Sequence, residues 1–296
     1  MALQVRVLGS FAVGRDDSSS APKASKPRQL LAILAVNSGS VLQLASLTEE
    51  LWGGEPPPSA SSIVQNYVTQ LRKFLATQTE GTQVSVRDLM RTHFGGYSLN
   101  INRELIDAVR FEGGVDRGRR AFEAGEPEAA SELLKGSLAL WKGPVLADVQ
   151  QGSLLTLERV RLEELRLHAQ QLLIESEMKL GHYRQVISDL QALIAKYPHH
   201  EGLYELLMLA LYHSGRRMNA ISVYRDLYKM FGKEFGLVPA PSLRELHQFI
   251  LRSEQEPELE NGGSSRGLLP PLSSLVQDVE QINLMVRSQY PSVEFS

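Results

Sequence analysis

Gly181 and Gly215 stand thirty-four residues apart, and their surroundings repeat: GHYRQVISDLQALIAKYP against GRRMNAISVYRDLYKMFG. Val186 aligns with Ala220, Leu190 with Tyr224 and Leu193 with Leu227. A less regular third copy starts at Gly125 (GEPEAASELLKGSLAL), with Ala130 and Leu134 in the equivalent places. At this period each helix pair keeps an apolar face that only a neighbouring pair can cover, so the chain from Val109 onward must stack helices to acquire a core.

Thirty-four residues is the tetratricopeptide period, and the spacing predicts a short solenoid of about three repeats. Trp141 to Asp148 (WKGPVLAD) interrupts it as a loop before the next long helix. After Ser253 the chain turns acidic and then reads NGGSSRGLLPPLSS, a flexible-linker composition, before LVQDVEQINLMV, which can form one amphipathic helix.

The first hundred residues follow a different pattern. Residues 3–8 (LQVRVL) and 11–13 (FAV) flank Gly9-Ser10 and read as two antiparallel strands, followed by an exposed loop over 16–22. From Arg28 the period is helical, with Leu30, Leu31, Leu34 and Ala35 on one side and a stop near Asn37-Ser38-Gly39. A second helix is expected over 44–52, with Leu44, Leu47, Leu51 and Trp52 inward; Gly53-Gly54 and Pro56-Pro57-Pro58 end it. Ser59 is the expected N-cap of a third helix. QVSV (83–86) and LMRTHFGGYSLNI (89–101) then suggest a terminal β-hairpin, with Tyr97, Leu99 and Ile101 on one side of its last strand. Two strands, three helices and a hairpin in this order describe a winged helix-turn-helix. The predicted division is 1–102 for this DNA-binding part, 103–253 for the all-α tetratricopeptide-like part and 254–296 for the linker and final helix.

The third helix, SSIVQNYVTQLRKFL, carries the functional signal. At about 100° per residue, Phe74, Tyr67, Leu71, Val64, Leu75 and Val68 share one arc. Arg72, Gln65, Thr69, Lys73, Asn66 and Gln70 cover the rest, and no Asp or Glu occurs over 59–79. A major groove admits one helix; Asn and Gln pair with adenine, Arg and Lys reach guanine, and carboxylates are repelled by phosphates. Asn66, Thr69, Gln70 and Lys73 are therefore the candidate base readers. Candidate backbone contacts are Gln65 and Arg72 at the groove walls, Arg28, Ser61 and Ser62 near helix starts, and Arg91, Thr92 and His93 in the hairpin. The formal charge of −3 hides a local excess, because residues 1–102 hold nine Lys/Arg against seven Asp/Glu.

Other chemistries lack support in the sequence. Without cysteine the chain has no disulfide framework or Cys-based zinc site, and without a long apolar run it has no candidate membrane span. MALQVRVLGSF alternates like a strand, unlike a signal peptide, so a cytoplasmic, nucleoid-associated protein is expected. Glu163, Glu164, Glu175, Glu177 and Asp189 show no paired spacing, His199-His200 has no metal-ligand partner at the usual offsets, and the prolines of GGEPPP remove amides that a phosphate loop needs. The expectation is no catalytic residue, no metal and no cofactor. A ligand- or peptide-sensing regulator, a repressor included, is the second reading of the helical repeats.

RQLLAILAVNSG, LTEELWGGEPPPSA, VQNYVTQLRKFL, FGGYSLNI, IDAVRF, WKGPVLAD, RLEELRLHA and GLYELLMLALYHSGRRMNAISVYRDL, ahead of EFGLVPAPSLRELHQFI, occur in order across about residues 3–252. Together they resemble the Streptomyces antibiotic regulatory proteins. The resemblance implies a response-regulator-type winged helix followed by a bacterial transcriptional activation domain. It also implies side-by-side binding to direct repeats in double-stranded DNA, contact with RNA polymerase holoenzyme including its sigma factor, and control of an antibiotic cluster. By position, the groove helix is 60–75 and the wing lies around 91–98. Gly53, Gly54, Glu55, Pro56, Pro57 and Pro58 form the loop that would meet polymerase. The family usually carries Arg where Gln70 and Lys73 stand, so a different base preference or phosphate affinity is expected.

Overall fold

A computed structural model of the 296-residue chain describes residues 3–15, 20–80 and 85–252. They form two compact units, one through His182 and one from Tyr183 onward. The expected division near residue 102 marks a change of element type, whereas the first compact unit runs through it to His182. The linker and final helix expected over 254–296 lie outside the described residues.

In the first unit, β1 (Gln4–Arg6) pairs antiparallel with β2 (Ala12–Gly14), Val5 opposite Val13. Such a ribbon is marginal alone, and here the helical part completes its hydrogen bonding. The Asp107 carboxylate, at the start of α5 (Asp107–Glu123), accepts the Val7 and Leu8 amides at 2.8 and 3.1 Å. Burial pushes the Asp107 carboxyl above its ordinary value, and these two amides work against that rise. WKGPVLAD lies along the same ribbon: Lys142 and Leu146 donate backbone N–H to the Leu8 and Val7 carbonyls, and the Asp148 carboxylate accepts the Phe11 amide at 2.7 Å. The segment expected as a simple connecting loop thus also joins the two halves of the unit.

Helices α1 (Ser25–Val36), α2 (Leu44–Trp52) and α3 (Ala60–Gln78) follow the expected pattern. Trp52 is half-buried, stacked on Tyr67 with ring centroids 6.4 Å apart. Two sequence expectations change. Ser59 occupies the N-cap position, but its side chain makes no capping bond: its backbone, at φ −94° and ψ 16°, is outside the extended region from which a cap side chain reaches the N2 or N3 amide. Of the QVSV strand, 83–84 lie outside the described residues, while Val86 begins a one-turn helix, α4 (Val86–Leu89), closed by the Asp88 and Leu89 amides on the Ser85 carbonyl.

The hairpin is β4 (Met90–His93) and β5 (Gly96–Leu99), with β5 central in a three-stranded sheet because the two-residue β3 (Leu42–Gln43) pairs with its other edge. This explains why Ser98 is buried along with Tyr97 and Leu99. A Cβ on Gly96 would lie 2.3 Å from the Leu42 carbonyl oxygen, so the strand approach requires glycine there.

α5 packs on α6 (Pro127–Leu138), and α6 on α7 (Ser153–Lys179). Glu50 of α2, 2% exposed, accepts the amides of Gly152 and Leu154 at 2.8 and 2.7 Å, with Leu155 at 3.4 Å. A carboxylate thereby satisfies orphan donors at the positive end of a 27-residue helix. Near the other end, Glu177 accepts bonds from Ser131, from Lys135 at 2.6 Å and from His182 at 2.7 Å. Burial pushes the Glu177 carboxyl up, but these donors outweigh it and hold the group at about 2. A depressed carboxyl stabilises above its ordinary 4.5, and that contribution disappears as pH falls toward 2. Glu177→Gln should therefore flatten the acid limb of the thermal-midpoint profile in this window; parallel profiles would reject the assignment.

The second unit contains α8 (Tyr183–Lys196), α9 (Glu201–His213), α10 (Arg217–Glu234) and α11 (Pro241–Arg252). α9 is apolar nearly all round and is central, packed by α8, α10 and α11. The repeat is expressed in the backbone: Gly125, Gly181 and Gly215 have φ of 79, 82 and 79°, the left-handed conformation that ends a helix and reverses the chain. Val186, Leu190, Leu193, Ala220, Tyr224, Leu227, Ala130 and Leu134 are all buried, as the alignment of copies requires.

Candidate nucleic-acid interface

α3 buries Val64, Val68, Leu71 and Leu75 and half-buries Ile63, Tyr67 and Phe74. Gln65, Asn66, Thr69, Gln70 and Lys73 are exposed, as are Ser61 and Ser62 in the first turn. The base-reading candidates thus share one solvent-facing side of a helix whose opposite side is anchored in the core. Thr69 donates its hydroxyl to the Gln65 carbonyl at 3.0 Å, which leaves its methyl and oxygen lone pairs outward. Asn66, Gln70 and Lys73 supply amide and ammonium groups in a stretch without carboxylates.

The structure uses two backbone-contact candidates internally. Arg72 is half-buried and donates Nη2 to the Met90 carbonyl at 3.1 Å and the Thr92 hydroxyl at 2.8 Å. Its role here is to tie the helix to the hairpin. Arg28 donates to the Asp148 carboxylate and carbonyl, each at 3.0 Å, and through Nε to the Pro22 carbonyl. Its charge is offset by Asp148, which itself also holds the Phe11 amide. No spacing rule links these partners, since Arg28 and Asp148 are 120 residues apart.

In the hairpin, Arg91 is exposed beside Asp88 at 3.3 Å, Thr92 is exposed with its hydroxyl accepting from Arg72, and His93 contacts the Ser98 hydroxyl through Nε2 at 2.9 Å. At the tip Phe94 stands clear of the other described residues, and no helical or strand periodicity marks it, because that signal identifies only residues facing a core. Between α2 and α3, Gly53, Gly54, Glu55, Pro56 and Pro58 are exposed and Pro57 is half-exposed. With Leu44, Ala45, Thr48, Glu49 and Ser61, part of this loop lines a shallow open groove. Among the described residues no cluster of His, Asp or Glu could hold a metal, and no helix is long and apolar enough to cross a membrane.

Two family models match the chain: "Transcriptional regulatory protein, C terminal" over residues 20–97 and "Bacterial transcriptional activator domain" over residues 106–251. The chain is 35% identical over 253 residues to the regulatory protein DnrI of Streptomyces peucetius, covering 85% of this chain and 93% of DnrI. It is 34% identical over 252 residues to the transcriptional regulator RedD of Streptomyces coelicolor, covering 85% of this chain and 71% of RedD. Among solved structures, Mycobacterium tuberculosis EmbR in complex with a low affinity phosphopeptide is similar at a TM-score of 0.82 and 28% identity, covering 97% of this chain and 71% of that one.

Proposed function

Because the chain belongs to the Streptomyces antibiotic regulatory protein family, whose members regulate transcription and are not enzymes, we propose that it activates an antibiotic biosynthetic cluster by binding direct repeats upstream of promoters and recruiting RNA polymerase holoenzyme through contacts that include the sigma factor. The supporting observation is the exposed, carboxylate-free face of α3 beside a hairpin tied to it by Arg72. In this reading Asn66, Thr69, Gln70 and Lys73 read bases, while Gln65, Ser61, Ser62, Arg91, Thr92 and His93 meet the backbone. Residues 1–102 bind DNA and residues 103–253 serve activation.

Direct repeats require a head-to-tail arrangement, which DNA limits by offering few sites. A protein with so small a local excess of positive charge binds one site modestly and gains from a neighbour through effective concentration. Salt weakens the complex because binding releases counterions from the DNA, and their release gains less as the bulk salt concentration rises. DNase footprinting of promoters around its own gene, followed by transcription with purified holoenzyme, tests the reading. Protected direct repeats and raised output are expected, and unchanged or reduced output would reject activation.

The exposed loop from Gly53 to Pro58 is the proposed polymerase contact. Changing Glu55→Lys together with Pro56→Ala should leave the footprint and affinity intact while output falls to its basal level. Retained activation would remove the loop from the account.

A further inference from the structure

We propose that Phe94 is an apolar wedge that enters the minor groove of the bound duplex beside α3, a role that rests on the DNA-binding reading above. Phe94 is 104% exposed, so no described residue covers its ring. Among the described residues between Leu42 and Ser153 it is the one exposed large hydrophobic side chain, an isolated ring and not a broad apolar patch of the kind protein partners use. A single projecting aromatic on a narrow turn fits a groove, where such side chains pack on sugar walls or part a base step.

The tip cannot fold back. Gly95 has φ of 76°, its carbonyl accepts the Leu44 amide at 2.8 Å, and Gly96 lies against the Leu42 carbonyl. Arg72 of α3 bonds the same hairpin at Met90 and Thr92, so the strand that leads to the ring is held to the helix that carries the base-reading candidates. The local charge suits a polyanion: no Asp or Glu occurs over 89–103, and Arg91, exposed although it meets Asp88 at 3.3 Å, and His93 precede the ring on the same hairpin.

The experiment uses the full chain and two duplexes, one carrying a single footprinted site and one carrying two in tandem, with affinity measured across a salt series. Phe94→Ala should weaken binding roughly tenfold, the loss of one buried ring, without changing the salt slope, because no counterion is involved. Arg91→Ala should reduce that slope by about one. Phe94→Trp should retain affinity and change its fluorescence on binding. Full affinity in Phe94→Ala overturns the wedge and leaves DNA binding standing. Loss seen only on tandem sites also overturns it, since the ring would then meet a neighbouring protein. Absence of a specific footprint with the unaltered chain removes both readings.

Discussion

Changing Gln70→Ala and Lys73→Ala together should abolish specific binding while circular dichroism stays unchanged. Both side chains are exposed, so their removal leaves no cavity and no orphaned buried group. A base-reading pair is worth about 1–3 kcal/mol, so losing two should weaken specific binding at least roughly thirtyfold. Residual binding to unrelated DNA should persist, since it depends on phosphate neutralisation elsewhere on the surface. An unchanged footprint would take both residues out of the interface. Restoring Lys73 alone should recover affinity more than discrimination if it meets phosphate, and both if it reads a base.

Glu50→Ala should lower the thermal midpoint of the first unit by several degrees. It removes the acceptor of two short amide bonds and one long one at the start of α7, in a site too buried for water to replace it freely. Charged hydrogen bonds at helix starts suggest a cost of about 2–4 kcal/mol. Glu50→Gln should lie between the two, because its amide keeps one acceptor and the shape but loses the charge. Hydrogen exchange should accelerate first around 152–156, with the region after Tyr183 unaffected. A midpoint within a degree of the unaltered chain would mean that the carboxylate does not support the helix.

Glu50 also illustrates what the sequence could not disclose. In LTEELW it reads as an ordinary surface acid on the second helix, because nothing local distinguishes it from exposed Glu49. Its partners are more than a hundred residues away. The roles of Asp107 and Asp148 are hidden for the same reason: Asp107 accepts the amides of Val7 and Leu8, and Asp148 that of Phe11, across about a hundred residues or more. The bonds of Arg72 to the hairpin are likewise illegible locally, because helical angle alone puts it at the edge of the polar face while its partners are 18 and 20 residues away.

The sequence by itself determined the elements whose cause is local. Apolar residues at helical spacing identified the buried side of α3 and hence its open side, and glycines at Gly125, Gly181 and Gly215 marked the helix reversals because side-chain sterics disfavour that backbone conformation in most other residues. Only the tertiary structure decided which charges remain available to a partner and which are spent within the protein. Periodicity depends on neighbours along the chain, whereas the pairing of a charge depends on what folding brings within about 3 Å of it.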